Sequence, residues 1–301
     1  MSKTSPPPER SLRSLSRLEA SIVDAMYRRD RRTRRPRTWL SLPSDTAWLT
    51  DELGTPHVRQ ALSRMVAKGT MFKDGHGRYV LAPAGTAVVE QVLSVELLLD
   101  AALAPGGDYY LGFLSAMVSH RLTDESIWEV YAAVRPNRFV GGQRELAGRP
   151  LHLIRVVTER KWIGVEDVSV QGRMSYRRST LERTLLDAVD RPDVCGGIEL
   201  IVRAWERASR EDRIDEDLLT SLALTIGGLV GYRAAYWLHR VGREDASEAL
   251  IEGLGGPARS GSARLDPGSE FGDGDFPRDR RTGLRVNVPE HYIRGWLSYG
   301  K

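Results

Sequence analysis

The stretch from Asp45 to Leu81 constrains the fold more than any other part of this sequence. Asp45-Thr-Ala-Trp-Leu-Thr-Asp-Glu-Leu-Gly54 predicts a short helix that turns Trp48, Leu49 and Leu53 inward and stops at Gly54. Thr55-Pro56 then opens a second helix, with Thr55 as N-cap and Pro56 at the first helical position, where a missing N–H does no harm. Val58, Leu62 and Met65 share one face of it, and Gly69 closes it after Lys68. Met71-Phe72-Lys73 and Arg78-Tyr79-Val80-Leu81 flank the turn Asp74-Gly75-His76-Gly77 and read as a hairpin. An earlier helix, from about Ser14 to Arg29, carries Leu15, Leu18, Ile22 and Met26 at spacings of three and four. Three helices and a hairpin in this order predict a winged helix-turn-helix over residues 13–83.

Charge gives that prediction a partner. Residues 1–82 hold 16 Lys/Arg against 8 Asp/Glu, a net of +8, while residues 83–301 hold 28 against 32, a net of −4. A basic front on a mildly acidic chain points to a polyanion met by the front alone, and double-stranded DNA is the polyanion this unit suits. The second helix of such a unit lies in the major groove, where Arg and Gln can bond base edges. Its outward face carries His57, Arg59, Gln60, Ser63, Arg64 and Lys68. Lys73, His76 and Arg78 on the hairpin would reach the flanking backbone. The run RRDRRTRRPR holds seven arginines between Arg28 and Arg37, and Arg31, Arg32, Arg34 and Arg35 join the candidates for phosphate contact. A solvated loop is the plain alternative for that run.

Residues 1–12, with three prolines, read as a disordered tail. Residues 84–105 read as an apolar connecting helix ended by Ala104-Pro105-Gly106-Gly107. From 106 onward the pattern predicts a mixed α/β, mostly helical domain, so the chain as a whole falls in the α+β class. It opens with a helix over Tyr109–His120 capped by Asp108. Strands follow at about Glu129–Val134, Leu151–Thr158 and Val165–Val170, then a helix capped by Ser179. Further helices are expected at 196–209, 215–225, 229–241 and 246–254. Gly255–Pro277 is rich in Gly, Ser, Asp and Pro and reads as a long flexible loop. A last strand at Leu284–Val288 and a helix at His291–Tyr299 close the chain.

The search for catalytic chemistry comes back thin. A single cysteine, Cys195, excludes an internal disulfide and a cysteine-rich zinc site, and it reads as a small packed residue. His120 has no second histidine at a metal-ligating spacing. Glu182, Arg183 and Asp187 read as a structural ion-pair surface. No Gly-x-Ser-x-Gly elbow is present, and the Gly pairs near 255 and 272 lack the Lys of a phosphate-cradling loop. The expectation is a non-enzymatic chain without cofactor or metal. No stretch approaches the roughly 18 apolar residues a spanning helix needs. The first seventeen residues lack a secretory apolar core, which makes the cytoplasm the expected compartment and leaves no membrane partner.

Three segments in order carry a resemblance. Tyr109–Glu125 (YYLGFLSAMVSHRLTDE), Arg177–Gly197 (RRSTLERTLLDAVDRPDVCGG) and Arg278–Glu290 (RDRRTGLRVNVPE), behind an N-terminal unit ending in GRYVL, resemble the AbiEi family of antitoxins from bacterial type IV toxin–antitoxin systems, which includes the mycobacterial MenA group. The resemblance implies an autorepressor that binds inverted repeats in its own promoter. It implies neutralisation of a co-encoded nucleotidyltransferase-like toxin without a stable complex, often in abortive infection of phage-attacked cells. It also implies that residues 106–301 form the antitoxin domain, with Pro56–Lys68 as recognition helix and Met71–Leu81 as wing. The seven-arginine run and the Gly255–Pro277 insertion look long for that family. Without the resemblance, the residues leave open a ligand-responsive transcriptional regulator, or a DNA-directed nuclease built on Lys161, Glu166 and Asp167.

Overall fold

The computed structural model describes residues 15–30, 39–40, 44–68, 70–73, 79–81, 95–103, 108–135, 142–146, 149–170, 174–268, 271 and 274–298. The fold is mixed α+β and rich in helix. Two compact units divide the chain. One comprises Met1–Pro105 with Glu145–Gly148 and Ser169–Tyr176; the other comprises Gly106–Arg144, Arg149–Val168 and Arg177–Lys301.

The first unit runs α1 (Arg17–Asp30), β1 (Trp39–Leu40), α2 (Ser44–Leu53), α3 (Val58–Ala67), β2 (Met71–Lys73), β3 (Tyr79–Leu81) and α4 (Val95–Leu103). Ser16 starts α1 with a reciprocal capping box: its hydroxyl accepts from the Glu19 N–H at 3.4 Å while Glu19 Oε2 accepts from the Ser16 N–H at 2.8 Å. The three strands form a small antiparallel sheet in the order β1-β3-β2. Ile22, Ala25 and Met26 from α1 meet Leu49 from α2, Val58, Ala61, Leu62 and Met65 from α3, and Met71 and Tyr79 from the sheet in one core. Strand β1 is absent from the sequence reading, because two residues beside an arginine run carry no period. Helix α3 begins two residues later than predicted. Thr55 still contributes, its hydroxyl accepting from the His57 N–H at 3.3 Å.

Most of a six-stranded mixed sheet, in the order β6-β7-β5-β4-β9-β8, belongs to the second unit. The sheet's strands are β4 (Tyr109–Leu111), β5 (Val130–Val134), β6 (Gly142–Leu146), β7 (Arg149–Arg155), β8 (Val165–Val170) and β9 (Met174–Ser179). At its centre β4 and β5 are antiparallel, while β4 runs parallel to β9 and β5 parallel to β7. Helix α5 (Phe113–Ser119) follows β4. After the sheet come α6 (Leu181–Asp190), α7 (Gly197–Arg210), α8 (Glu216–Ile226), α9 (Leu229–Arg240), α10 (Glu244–Gly253) and α11 (Glu290–Ser298). Trp205, Trp237, Leu185 and Ile201 are fully buried at the heart of this core.

Three expectations are corrected here. Tyr109–Leu111 is a buried strand, with the helix starting only at Phe113; a continuous apolar run shows no period that would separate the two. Asp108 therefore caps no helix. It receives Arg135 Nε at 2.6 Å and Arg177 Nη1 at 3.3 Å; burial alone would raise its carboxyl, but the two guanidinium groups outweigh that and lower it. The cap of α6 is Thr180, which accepts from the Arg183 N–H, while Ser179 ends β9. Third, much of the run expected to be a flexible loop is packed. Ala263, Leu265 and Asp266 are buried, Leu265 N–H reaches Arg285 O at 2.9 Å, and Arg285 N–H returns to Ala263 O at 2.7 Å. Gly283 sits at φ +71°, where an added Cβ would meet the Ala258 carbonyl oxygen at 2.4 Å. The predicted strand at Leu284–Val288 makes isolated bridges at Arg285.

The ion-pair surface expected at Glu182–Asp187 is an interior network instead. Arg183, 1% exposed, holds Asp187 at 2.9 Å, the Tyr110 hydroxyl at 2.8 Å and the Ile163 carbonyl at 2.7 Å. Burial pushes the Tyr110 hydroxyl and the Asp187 carboxyl above their ordinary ranges, against the opposing pull of the Arg183 guanidinium. Among the described residues, no helix is long and apolar enough to cross a membrane.

Candidate nucleic-acid interface

Helix α3 separates its two faces cleanly. Val58, Ala61, Leu62 and Met65 are fully buried, which fixes the helix on the core and leaves the other side outward. His57, Arg59, Gln60, Ser63 and Arg64 are all exposed on that side. Residues 57, 60 and 64 follow one i, i+3, i+7 row, and 59 and 63 lie one helical turn apart beside it. The result is two guanidinium forks, an amide, a hydroxyl and an imidazole on one convex surface, a donor and acceptor set suited to base edges and phosphates.

Lys68 is placed differently from the other predicted contacts. Its ammonium donates to Glu19 Oε2 at 2.6 Å, and Glu19 is completely buried on α1. Burial alone would raise the Glu19 carboxyl; the Lys68 ammonium and the Ser16 N–H outweigh it and hold it below the usual range. The pair ties the end of α3 to the start of α1. The other carboxylate oxygen, Oε1, lies 3.9 Å from Arg64 Nε and accepts no hydrogen bond among the described residues. Glu19 thus sets the electrostatics beneath the exposed face. A local signal for it was available in the sequence: Ser16-Arg-Leu-Glu19 has the Ser-x-x-Glu spacing of a capping box.

Lys73 ends β2 and stands opposite Tyr79 of β3. Arg31, Arg32, Arg34, Arg35, His76 and Arg78 lie outside the described residues.

The groups weighed for catalysis are dispersed among other partners. Lys161 pairs with Asp190, and Glu166 accepts from Arg178 Nη2 at 2.6 Å, so these members of the imagined nuclease set serve separate ion pairs. Cys195 is buried, and burial pushes its thiol well above the ordinary value. His120 is buried with Nε2 2.8 Å from the Ser179 carbonyl; burial lowers its pKa to about 4. Glu182 accepts from the Asp215 N–H at 3.1 Å. Among the described residues, no group of three or more His, Cys, Asp or Glu is arranged to hold a metal ion.

No protein-family model matches the chain, and no curated protein matches it. Among solved structures, the chain is similar to the crystal structure of the RV2827C protein from Mycobacterium tuberculosis, with a TM-score of 0.59 at 16% sequence identity, over 94% of this chain and 96% of that one. The likeness is one of fold.

Proposed function

We propose that this chain is a DNA-binding antitoxin and autorepressor of the AbiEi type, whose first unit is a winged helix-turn-helix and whose second unit counteracts a co-encoded nucleotidyltransferase-like toxin. The observation that carries the DNA half is the element order α1-β1-α2-α3-β2-β3 with β1 and β2 flanking β3, above which α3 turns outward a face of Arg59, Gln60, Ser63 and Arg64. A helix presented in this way, beside a two-stranded wing, fits the major groove while the wing meets the backbone. The antitoxin half rests on the sequence resemblance.

The test is a fluorescence-anisotropy titration of the chain on its own upstream DNA against a scrambled duplex, at several salt concentrations. Preference for the native duplex by about 10³-fold or more, with a salt slope of several phosphates, is the expected result. Arg59→Ala and Arg64→Ala should each weaken native-duplex binding by about 1–3 kcal/mol while leaving thermal unfolding unchanged. Equal, weak binding to both duplexes would defeat the repressor reading. Co-expression with the adjacent gene tests the antitoxin half separately: growth arrest that this chain does not relieve would sink it.

A further inference from the structure

A cleft of about 810 Å³ opens in the second unit between the end of α5, the end of α7 and strand β9. Five guanidinium groups line it, those of Arg121, Arg178, Arg207, Arg210 and Arg213, against the carboxylates of Asp124 and Glu211. Its size falls within the roughly 300–1,000 Å³ of small-molecule sites, yet its lining is charged where such sites are mostly apolar.

The backbone holds the arginines in place. Three successive carbonyls at the end of α5 each accept from a different segment. Ser119 O takes Arg178 Nη1 at 3.2 Å, His120 O takes Arg213 Nη2 at 2.7 Å, and Arg121 O takes Arg207 Nη1 at 3.3 Å. Arg121 itself sits at φ +57°, the left-handed position of the Schellman cap that ends α5, with its N–H on Val118 O at 2.9 Å and the Leu122 N–H on Met117 O at 2.8 Å. Its own side chain is exposed and makes no hydrogen bond or ion pair among the described residues.

The carboxylates in the cleft are weak competitors. Asp124, the partner of Arg207, is 85% exposed, and Glu211, the partner of Arg213, is 43% exposed; from outside the cleft lining, Glu166 holds Arg178 at 2.6 Å and Glu206 meets Arg210 at 3.3 Å. Exposed pairs of this kind contribute little, because solvent screens them and the side chains lose freedom in forming them. A ligand bearing several negative charges can displace them while the carbonyl bonds keep the guanidinium forks in position. Planar forks match phosphate oxygens in pairs, and several forks converging on one concave space call for more than one phosphoryl group. A plain structural role, satisfying the α5 carbonyls, accounts for Arg178, Arg207 and Arg213. It leaves the exposed Arg121 side chain, which has no partner among the described residues, without a structural role.

We propose that this cleft binds a small molecule carrying a di- or triphosphate group, held by Arg121 and Arg210 on its open side and by Arg178, Arg207 and Arg213 at its base. The site is independent of the DNA-binding reading and shares no residue with it.

The test is isothermal titration of the full chain with sodium pyrophosphate and, separately, with ATP. Saturable binding of one equivalent is expected for at least one probe. The Arg121→Ala/Arg210→Ala double variant should weaken it by about tenfold or more, as loss of charged hydrogen bonds would. Arg294→Ala, on exposed α11, should bind as the parent does. Tighter binding of ATP assigns the site to a nucleotide, and equal binding assigns it to the diphosphate group itself; both support the proposal. If the double variant unfolds, Arg121→Glu alone should abolish binding, because that side chain supports nothing else. No saturable heat with either probe, or undiminished binding in a folded double variant, would overturn the proposal. So would loss of scrambled-duplex binding in the double variant when neither small anion binds. Arg59→Ala and Arg64→Ala should leave these titrations unchanged, so either reading can fail alone.

Discussion

On α3 of the first unit, Arg59 extends from the helix with no partner among the described residues, and Arg64 stands 3.9 Å from a carboxylate oxygen. In the second unit, by contrast, outside the arginine cleft, Arg135, Arg177, Arg183, Arg240 and Arg243 each meet an Asp or Glu within 3.3 Å. The same residue type thus does two jobs. Where acids are interleaved, arginine fastens the fold and its field is cancelled within a few ångströms. Where they are withheld, it remains available to a polyanion. A net charge of +8 over residues 1–82 was a guide to the second situation only because few acids lie near α3 to cancel it.

The contrast is most exposed at Arg183. Arg183→Met should cost about 3–5 kcal/mol by urea denaturation, because it leaves the buried Asp187 carboxylate without its hydrogen-bonded ion-pair partner. A loss below 1 kcal/mol would mean that the second unit does not depend on its paired arginines. Gly283→Ala follows, at about 2–4 kcal/mol, since its Cβ would enter the Ala258 backbone at a φ of +71°. An unchanged melting temperature would return the 255–268 run to the status of a free loop.

His120 supplies the pH arm. Its pKa is lowered to about 4 in the folded chain, mainly by burial, from an ordinary value near 6.5. Between those values the unfolded chain binds a proton that the folded one does not, so stability is present above pH 6.5 and lost as pH falls toward 4. The loss should reach about 1–3 kcal/mol, and His120→Gln should flatten that part of the profile. A parent profile that is level across this window would contradict the burial.

The smallest effect is on the first unit. Glu19→Gln keeps an acceptor for the Ser16 N–H but removes the charge that holds Lys68. The freed ammonium should steepen the salt dependence of DNA binding by about one phosphate. An unchanged slope would mean that Lys68 cannot reach the duplex even when released.

Helices α6 to α11 were legible because their apolar residues recur with the helical period and caps or glycines bound them. Strand β8 was legible to the residue. Strands β6 (GQREL) and β9 (MSYRRS) were not, because their charged residues erase the alternation by which a half-buried strand is read. The α3 face was readable for the same reason as the helices. The Lys68 ion pair was not legible, because its partner lies 49 residues away on another helix, and no local pattern encodes such a distance. The arginine cleft was invisible in the sequence, since it gathers residues from 119 to 213 that only the fold brings together.

One consequence follows from the way the 255–288 segment is stitched into the second unit. The core that packs α1, α2 and α3 on their small sheet is complete once Tyr79 has been made, whereas the core of the second unit also needs Ala263, Leu265, Leu284, Val288 and Ile293. At about 5–20 residues per second, those two moments are separated by roughly 10–40 s of synthesis. On each ribosome, then, the core beneath α3 can form well before the second unit can close, and the nascent chain spends that interval with the second unit open to chaperones.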